Sequence, residues 1–187
     1  REGWLRKGIR CISQYPMLFS RDDVMEQLGV GSKMVKSIKY WLLATNICVE
    51  RYTNSGRSRE LILTEDYGQI INQYDPYFDD IFTLFTLHYQ IVKNDNLCMT
   101  WNLFFNEYNG VDFTKEDMVS VCAALLNKRL EEGSTFSESL FSDDCGSVLR
   151  MYQNSLESED PEESLQCPLS CLGLVSKSSR AKNAYIK

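Results

Sequence analysis

The stretch of sequence that decides the predicted fold is LGVGSKMVKSIKYWLLAT, residues 28–45. Glycines stand on both sides of Val30, and glycine adopts the positive φ that a tight turn needs without steric cost. Apolar residues recur at helical spacing before this turn and again after it. Two short helices joined by a three-residue glycine turn are typical of a helix-turn-helix. Residues 28–45 therefore predict the turn and the second helix of such a motif.

The second helix has two chemically different faces when its residues are placed at about 100° per residue. Amines and hydroxyls occupy one face, where they are suited to hold phosphates and to reach base edges in the major groove of DNA. The alternative is a solvated helix face that is rich in lysine for no functional reason. The apolar face consists of Met34, Val35, Ile38, Trp41, Leu42 and Thr45. The candidate DNA-binding face consists of Lys33, Lys36, Ser37 and Tyr40, with Lys39 at its flank.

The segment before the motif predicts two more helices. Residues 4–15 carry apolar side chains at helical spacing, and Pro16 stops that helix. Serine side chains accept hydrogen bonds from the first free N–H groups of a helix. Ser20 is therefore the predicted N-cap of the first helix of the motif, and Ser32 is the predicted N-cap of the second.

The segment after the motif predicts a β-hairpin. Residues 47–52 and 59–63 have the composition of strands, and a polar loop that contains glycine separates them. Arg57 stands at the tip of this loop, and Arg51 and Arg59 stand on its arms. Guanidinium groups on such a wing typically hold backbone phosphates or enter the minor groove. A hairpin directly after the second helix makes the unit a winged helix.

Three segments follow from these patterns. Residues 1–74 form the predicted winged helix-turn-helix domain, and the Asp75-Pro76 pair ends it because proline disfavours a helical residue before it. Residues 75–110 contain two strongly apolar segments and predict a connector of two buried helices. Residues 111–187 form the third segment.

The third segment repeats the first in a weak form. Residues 113–118 follow the pattern of residues 19–24, in which an aromatic residue precedes a cap candidate, charges and an apolar residue. Ser137 is the predicted N-cap of a helix, and residues 168–175 and 184–187 predict a second wing hairpin. The expected fold class is therefore mainly α with short β-hairpins: tandem winged helix-turn-helix units joined by two buried helices.

The two parts of the chain differ in charge. The net charge is −6, but residues 1–62 hold 11 Lys and Arg against 6 Asp and Glu, whereas residues 63–187 hold 9 against 20. A local basic face can bind phosphate even in an acidic protein. In the second unit, the outward face of the corresponding helix carries Ser139, Asp143, Ser147 and Arg150, and an aspartate on this face repels phosphate. We expect the acidic second half to bind protein instead.

Several function classes lack support in the sequence. The seven cysteines have irregular spacing and mostly apolar neighbours, which favours reduced, buried thiols in a cytoplasmic protein over a zinc site. The single histidine, His88, lies in an apolar segment and is expected to pack there. No glycine-rich phosphate loop and no nucleophile elbow is present, so neither an enzyme nor a cofactor is expected. No segment is long and apolar enough for a membrane span, and the missing initiator Met indicates a fragment.

The sequence resembles a bacterial and archaeal family known as domain of unknown function 4007. The matching stretches follow one another in order over nearly the whole chain, and the longest of them contains the motif described above. They are GWLRKG (3–8), FSRDD (19–23), LGVGSKMVKSIKYW (28–41), DPY (75–77), TWNLFFNE (100–107), FTKE (113–116) and CPLSCLGL (167–174).

The resemblance implies a setting and supplies no catalytic residues. Proteins of this family tend to be encoded near genes for sulfur transfer and DNA phosphorothioation, which indicates a DNA-modification or phage-defence system. We therefore expect a non-enzymatic protein that binds double-stranded DNA through residues 32–60. The alternative is a tandem winged-helix adaptor that binds neighbouring modification or nuclease subunits.

Overall fold

The computed structural model describes residues 3–53, 56, 59–131, 133–153, 167–179, 181 and 183–187. This part of the chain is mainly helical, with two small antiparallel sheets. Contacts divide the chain into two compact units, Arg1–Gln90 and Ile91–Lys187.

The first unit contains five helices and one hairpin among its described residues. Its order is helix, short 3₁₀ helix, helix, helix, hairpin, helix, helix, with the last helix continuing to Lys93. The helices are α1 (Trp4–Gln14), the 3₁₀ helix Leu18–Ser20, α2 (Val24–Leu28), α3 (Ser32–Ala44), α4 (Gly68–Tyr74) and α5 (Ile81–Lys93). The strands are β1 (Cys48–Tyr52) and β2 (Arg59–Leu63).

The core of the first unit forms where α1 packs against α3. Gly8 makes this close approach possible, since a Cβ atom there would lie 2.6 Å from Leu42 Cδ1. The apolar stripe predicted for α3 is present: Val35, Ile38, Leu42 and Thr45 are buried, and Met34 and Trp41 are half-buried. Helix α3 therefore turns its polar side away from this core.

The turn between α2 and α3 has the predicted glycine geometry, but the predicted caps are wrong. Gly29 has a φ of 62°, the left-handed conformation that ends α2. Ser20 belongs to the 3₁₀ helix, and its hydroxyl donates to the Arg59 carbonyl at 3.3 Å. Ser32 is the first residue of α3, and the N-cap residue is Gly31, without a side-chain cap. The 3₁₀ helix and the turn after it displace the start of α2 to Val24.

The predicted hairpin is present as an antiparallel pair. Its register places Glu50 opposite Leu61 and Tyr52 opposite Arg59. The Leu61 N–H also donates to the Pro16 carbonyl at 2.9 Å, which fastens β2 to the segment after α1. This contact holds the hairpin at a fixed place beside the helices.

Helix α5 differs from the prediction of a helix buried on nearly all sides. Thr83, Leu84 and Leu87 are buried, whereas Phe82 and Phe85 on the opposite side are exposed. The sequence could not predict which side of α5 is exposed. A segment that is apolar on all sides has no periodic pattern that distinguishes a buried face from an exposed one.

The second unit contains three helices, a 3₁₀ helix and a three-stranded sheet among its described residues. The strands follow the order β3-β5-β4, and both pairs are antiparallel. The helices are α6 (Met99–Asn106), α7 (Lys115–Arg129), α8 (Glu138–Tyr152) and the 3₁₀ helix Pro168–Leu172. The strands are β3 (Asp112–Thr114), β4 (Ser176–Lys177) and β5 (Ala184–Ile186).

Helix α6 forms the centre of the second unit, as expected for a buried helix. Leu103 and Phe104 are completely buried, and the Phe104 ring packs on Phe113 of β3 at a centroid distance of 5.5 Å. The Lys187 ammonium donates to the carbonyls of Phe104 and Tyr108 at 2.7 and 2.5 Å, so the chain after β5 holds the end of α6.

Two other predictions for the second unit have opposite outcomes. The Ser137 side chain accepts a hydrogen bond from the Leu140 N–H at 3.4 Å, which confirms it as the N-cap of α8. The predicted strand over residues 168–175 is wrong, because Pro168–Leu172 is a 3₁₀ helix with proline near its start. A hairpin is nevertheless present one segment later, between β4 and β5.

The cysteines are free thiols. Cys48, Cys98, Cys122 and Cys145 are buried, whereas Cys11 and Cys167 are partly exposed and Cys171 is exposed. Burial raises the pKa of the Cys122 thiol to about 11, as expected for an inert core thiol. None of the helices in the described ranges combines the length and the hydropathy that a bilayer crossing needs.

Candidate nucleic-acid interface

The polar face of α3 presents two lysines at its start. Lys33 and Lys36 are exposed, and neither makes an ion pair with any residue that the structure describes. Helix α3 contains no acidic residue over its whole length. No described carboxylate therefore offsets the charge of these two side chains at the surface.

Ser37 and Tyr40, the other two predicted residues on this face, are half-buried. The Ser37 hydroxyl donates to the Lys33 carbonyl at 3.2 Å, one turn earlier in the helix. The Tyr40 ring meets the Trp41 ring edge to face, with centroids 5.1 Å apart. Both side chains lie on the predicted side of α3 and contribute less surface than the lysines.

Glu50 lies between two of the predicted cations. The Lys39 Nζ atom lies 2.6 Å from Glu50 Oε1, and the Arg59 guanidinium lies 3.3 Å from Glu50 Oε2. The hydrogen bond from Lys39 and, after it, the contact with Arg59 hold the pKa of the Glu50 carboxyl below its usual value. One carboxylate thus offsets part of the charge of two cations and ties α3 to both strands.

The predicted arginines of the hairpin differ from one another in their surroundings. Arg51 is exposed. The Arg59 guanidinium donates to the Tyr52 hydroxyl at 3.0 Å and stands 5.1 Å from the centre of the Tyr52 ring, so the ring orients it. Arg57, the predicted residue at the tip, lies outside the described residues. The described cations of residues 32–60 come from one helix and the hairpin beside it.

An open cavity of about 300 Å³ adjoins this surface between α2 and α3. Apolar side chains make up most of its lining, and two of the predicted lysines also belong to it. Its lining consists of Phe19, Val24, Met25, Ser32, Val35, Lys36 and Lys39. An apolar recess beside ammonium groups favours a ligand that carries both an apolar part and negative charge.

The corresponding face of α8 in the second unit is acidic. Asp143 and Asp144 are exposed, as is Ser139. Partial burial and, after it, the neighbouring Asp143 charge raise the pKa of the Asp144 carboxyl. Arg150 is the exposed cation of this helix, and its guanidinium donates to the Ser147 hydroxyl at 3.0 Å. This face lacks the unpaired lysines that α3 presents.

The sequence analysis did not predict Glu50 and Tyr52 as parts of the candidate interface. Alternation along a strand puts residues i and i+2 on one side, so Glu50 and Tyr52 share a face of β1. The sequence contains this signal. What it does not contain is the register that sets Arg59 opposite Tyr52, or the approach of Lys39 to the same face.

Acidic, thiol and imidazole groups do not assemble into a metal centre in the described ranges, where no three of them stand close enough together to hold an ion.

Comparison with known proteins gives a family and a fold. The sequence model of a family described as protein of unknown function (DUF4007) matches residues 1–187. Among curated proteins, none matches the chain. A crystal structure of magnesium ion-bound SspB superimposes with a TM-score of 0.84 at 26% identity, and one of SspB with a TM-score of 0.82 at 25% identity. Each match covers 100% of this chain and 56% of the SspB chain, so this chain spans about half the length of SspB.

Proposed function

The chain belongs to the DUF4007 family, and from this membership and the cationic side of α3 we propose that it is a DNA-binding winged-helix protein. In this proposal it is a non-enzymatic component of a prokaryotic DNA-modification system associated with phosphorothioation, or of a phage-defence system. The likeness to SspB fits a DNA-modification system.

The proposed docking geometry follows from the arrangement of α2, α3 and the β1–β2 hairpin. Helix α3 enters the major groove, where Lys33 and Lys36 contact phosphates and Ser37 and Tyr40 reach toward base edges. The hairpin is the wing, and Arg51, Arg57 and Arg59 contact the backbone beside it. Lys39 supports the contact from the flank of α3, with part of its charge offset by Glu50.

The observation that carries the proposal is that Lys33 and Lys36 are exposed and have no acidic partner in the described part of the chain. Both are exposed at the start of a helix without acids, and neither has an acidic partner among the described residues. Binding of a polyanion gives this local excess of positive charge a physical role.

The experiment that tests the proposal compares charge reversals at matched positions. The variant Lys33→Glu/Lys36→Glu changes the proposed face, and Lys128→Glu/Arg150→Glu changes two exposed cations of the second unit by the same amount. We expect a generic duplex to bind the wild type and the control alike, and to bind the first variant at least about tenfold more weakly. Affinity is measured by fluorescence anisotropy at 50 mM salt.

Two results would contradict the proposal. In one, duplex DNA does not bind the wild-type chain at micromolar concentrations. In the other, both charge-reversal variants lose affinity equally, which would assign the effect to net charge and not to α3. A melting curve of each variant separates loss of binding from loss of the fold.

A second candidate function is protein adaptor, and the acidic face of α8 favours it. Asp143 and Asp144 suit a cationic protein surface and repel phosphate. Winged-helix folds serve protein binding as well as DNA binding, since a fold does not fix function. A pull-down of the neighbouring modification or nuclease subunits that survives nuclease treatment, and that Asp143→Lys/Asp144→Lys abolishes, would favour the adaptor.

A further inference from the structure

Helix α1 presents a second group of cations, separate from those of α3. Arg6, Lys7 and Arg10 are exposed, and none of them makes an ion pair with a residue that the structure describes. Residues 4–14 contain no Asp or Glu. These three side chains form the α1 cationic face, whose positive charge no described carboxylate offsets through an ion pair.

The α1 cationic face points away from α3. Gly8 lies against α3, since a Cβ atom there would lie 2.6 Å from Leu42 Cδ1. A helix advances about 100° per residue, so Arg6 and Arg10 each stand about 160° around α1 from Gly8, and Lys7 stands about 100° from it. The two arginines therefore lie on the side of α1 opposite its contact with α3.

The cations of α3 point in the opposite direction. Leu42 faces α1, and on the same angular scale Lys33 stands about 180° and Lys36 about 120° around α3 from Leu42. The two packed helices thus carry cations on their two outer sides. DNA is stiff over about 150 bp, so one short duplex cannot bend around to reach both sides.

An aromatic ring orients one member of the α1 cationic face. The Arg6 guanidinium carbon lies 3.7 Å from the centre of the Tyr77 ring, and a stacked guanidinium still has N–H groups at its edge that donate to anions. Asp79 and Asp80 are exposed in the turn after this ring. Asp75 turns its carboxylate to their N–H groups, at 3.0 and 3.1 Å. This acidic turn reduces the field of Arg6, so the other two cations are the better test positions.

The composition of the α1 cationic face favours a phosphate backbone over a protein surface. Protein interfaces are centred on apolar or aromatic anchors. None of the large apolar side chains of α1 is exposed, and Ser13 and Gln14 are the other exposed residues on this side. Lys and Arg together with small polar side chains are the groups that contact phosphates along DNA. The face lacks the centre of a protein interface and has the groups of a phosphate-binding one.

We propose that the α1 cationic face is a second contact surface for the backbone of double-stranded DNA, so that the first unit bridges two duplex segments, one at α3 and one at α1. Three cations displace about three counterions, which gives α1 a slope of about −3 for log K against log salt. The surface at α3 and the hairpin has about five cations and fills first. Bridging rests on the proposed function at α3, whereas binding at α1 does not need it.

The first experiment measures duplex binding by α1 when the other surface is weakened. Fluorescence anisotropy at 50 mM salt follows a labelled duplex with the full chain that carries Lys33→Glu/Lys36→Glu. Adding Lys7→Gln/Arg10→Gln should weaken the remaining binding at least about fivefold, because two phosphate contacts are lost. Adding Lys128→Gln/Arg150→Gln, a matched removal of two exposed cations in the second unit, should leave it unchanged. Equal losses from both additions would overturn the proposal.

The second experiment measures bridging by energy transfer between two short duplexes, one with a donor dye and one with an acceptor dye. Wild type and Lys128→Gln/Arg150→Gln should give the same transfer at 50 mM salt. Lys7→Gln/Arg10→Gln should lower the transfer about fivefold or more, and it should change the affinity for a single duplex by less than about twofold. Glutamine keeps nearly the same helix propensity, and a melting curve checks the fold. If the double variant melts early, the two single variants replace it, each with part of the loss.

The remaining outcomes separate this proposal from its competitors. Transfer that persists in Lys7→Gln/Arg10→Gln would mean that a second copy of the chain brings the duplexes together, which overturns bridging by α1. A polyglutamate peptide that binds through Lys7 and Arg10 more tightly than the duplex would assign the face to an acidic protein and also overturn it. If Lys33→Glu/Lys36→Glu keeps full duplex affinity and Lys7→Gln/Arg10→Gln loses it, the proposed function at α3 fails while the contact at α1 stands.

Discussion

The Lys39 ammonium lies 2.6 Å from a carboxylate oxygen of Glu50, so an ion pair joins α3 to β1. The other oxygen of Glu50 faces Arg59 on β2 at 3.3 Å. The carboxylate therefore fixes the helix against the hairpin, and it reduces the positive charge available to a polyanion. This ion pair therefore lowers the positive charge of the proposed interface, and in return it fixes the position of α3 relative to the hairpin.

Replacing Glu50 with glutamine releases that charge. We expect Glu50→Gln to bind duplex DNA more tightly and to steepen the slope of log K against log salt by about 1, because one more cation displaces a counterion. The cost in stability should be below about 1 kcal/mol, as for other exposed ion pairs. Anisotropy titrations at four salt concentrations measure the slope. A slope equal to that of the wild type would show that Lys39 and Arg59 do not contact phosphate.

Gly68 at the start of α4 should tolerate no side chain. A Cβ atom there would lie 2.0 Å from the Ile47 carbonyl oxygen, a backbone atom that cannot move aside without displacing β1. We expect Gly68→Ala to lower the free energy of unfolding by about 2–3 kcal/mol. The control Gly31→Ala meets nothing within 4 Å and should cost less than about 1 kcal/mol. Urea titration of both variants measures this difference, and equal losses would contradict the predicted clash.

His88 should make stability depend on pH. Burial lowers its pKa to about 4 from 6.5, so the unfolded chain binds the proton more readily than the folded chain. Stability is then complete above about pH 6.5 and falls as the pH drops toward 4. At this half-buried position we expect a loss of no more than about 2 kcal/mol.

The chain has one histidine, so the variant His88→Gln isolates this effect. Urea midpoints between pH 7.5 and 5 should fall in the wild type and stay nearly constant in the variant. Parallel pH profiles would show that His88 is protonated equally in both states.

Lys187 should stabilise the end of α6. Lys187→Met keeps most of the apolar stem but removes the donor to the carbonyls of Phe104 and Tyr108. We expect a loss of about 1–2 kcal/mol in unfolding free energy. Lys128→Met, at an exposed position of α7, should change it by less than about 0.5 kcal/mol. Thermal melts that do not distinguish the two variants would contradict this role.

Local patterns predicted much of the first unit. The glycines around Val30, the apolar stripe of α3 and the hairpin after it depend on contacts between residues close in sequence, and these are the features that periodicity and turn chemistry report. The cap at Ser20 was wrong because the 3₁₀ helix Leu18–Ser20 has too few residues to leave a periodic signal. The cap at Ser32 was wrong by one residue, because α3 already begins at Ser32 and Gly31 precedes it as the N-cap.

The remaining features depend on contacts between distant residues. Nothing local indicates that Glu50 pairs with Lys39, because the approach of α3 to β1 sets that distance. The exposed side of α5 and the 3₁₀ helix Pro168–Leu172 follow in the same way from what packs beside them. Of the predicted site residues, the structure describes all but Arg57, and their role in binding stays a prediction.

The salt dependence of DNA binding by the wild-type chain tests the central claim most directly. If about five cations from α3 and the hairpin each neutralise one phosphate, log K should fall with log salt at a slope of about −4 to −5. Between 50 and 200 mM salt the affinity for a generic duplex should then fall about 500-fold. A slope near zero over this range would contradict the proposed cationic interface.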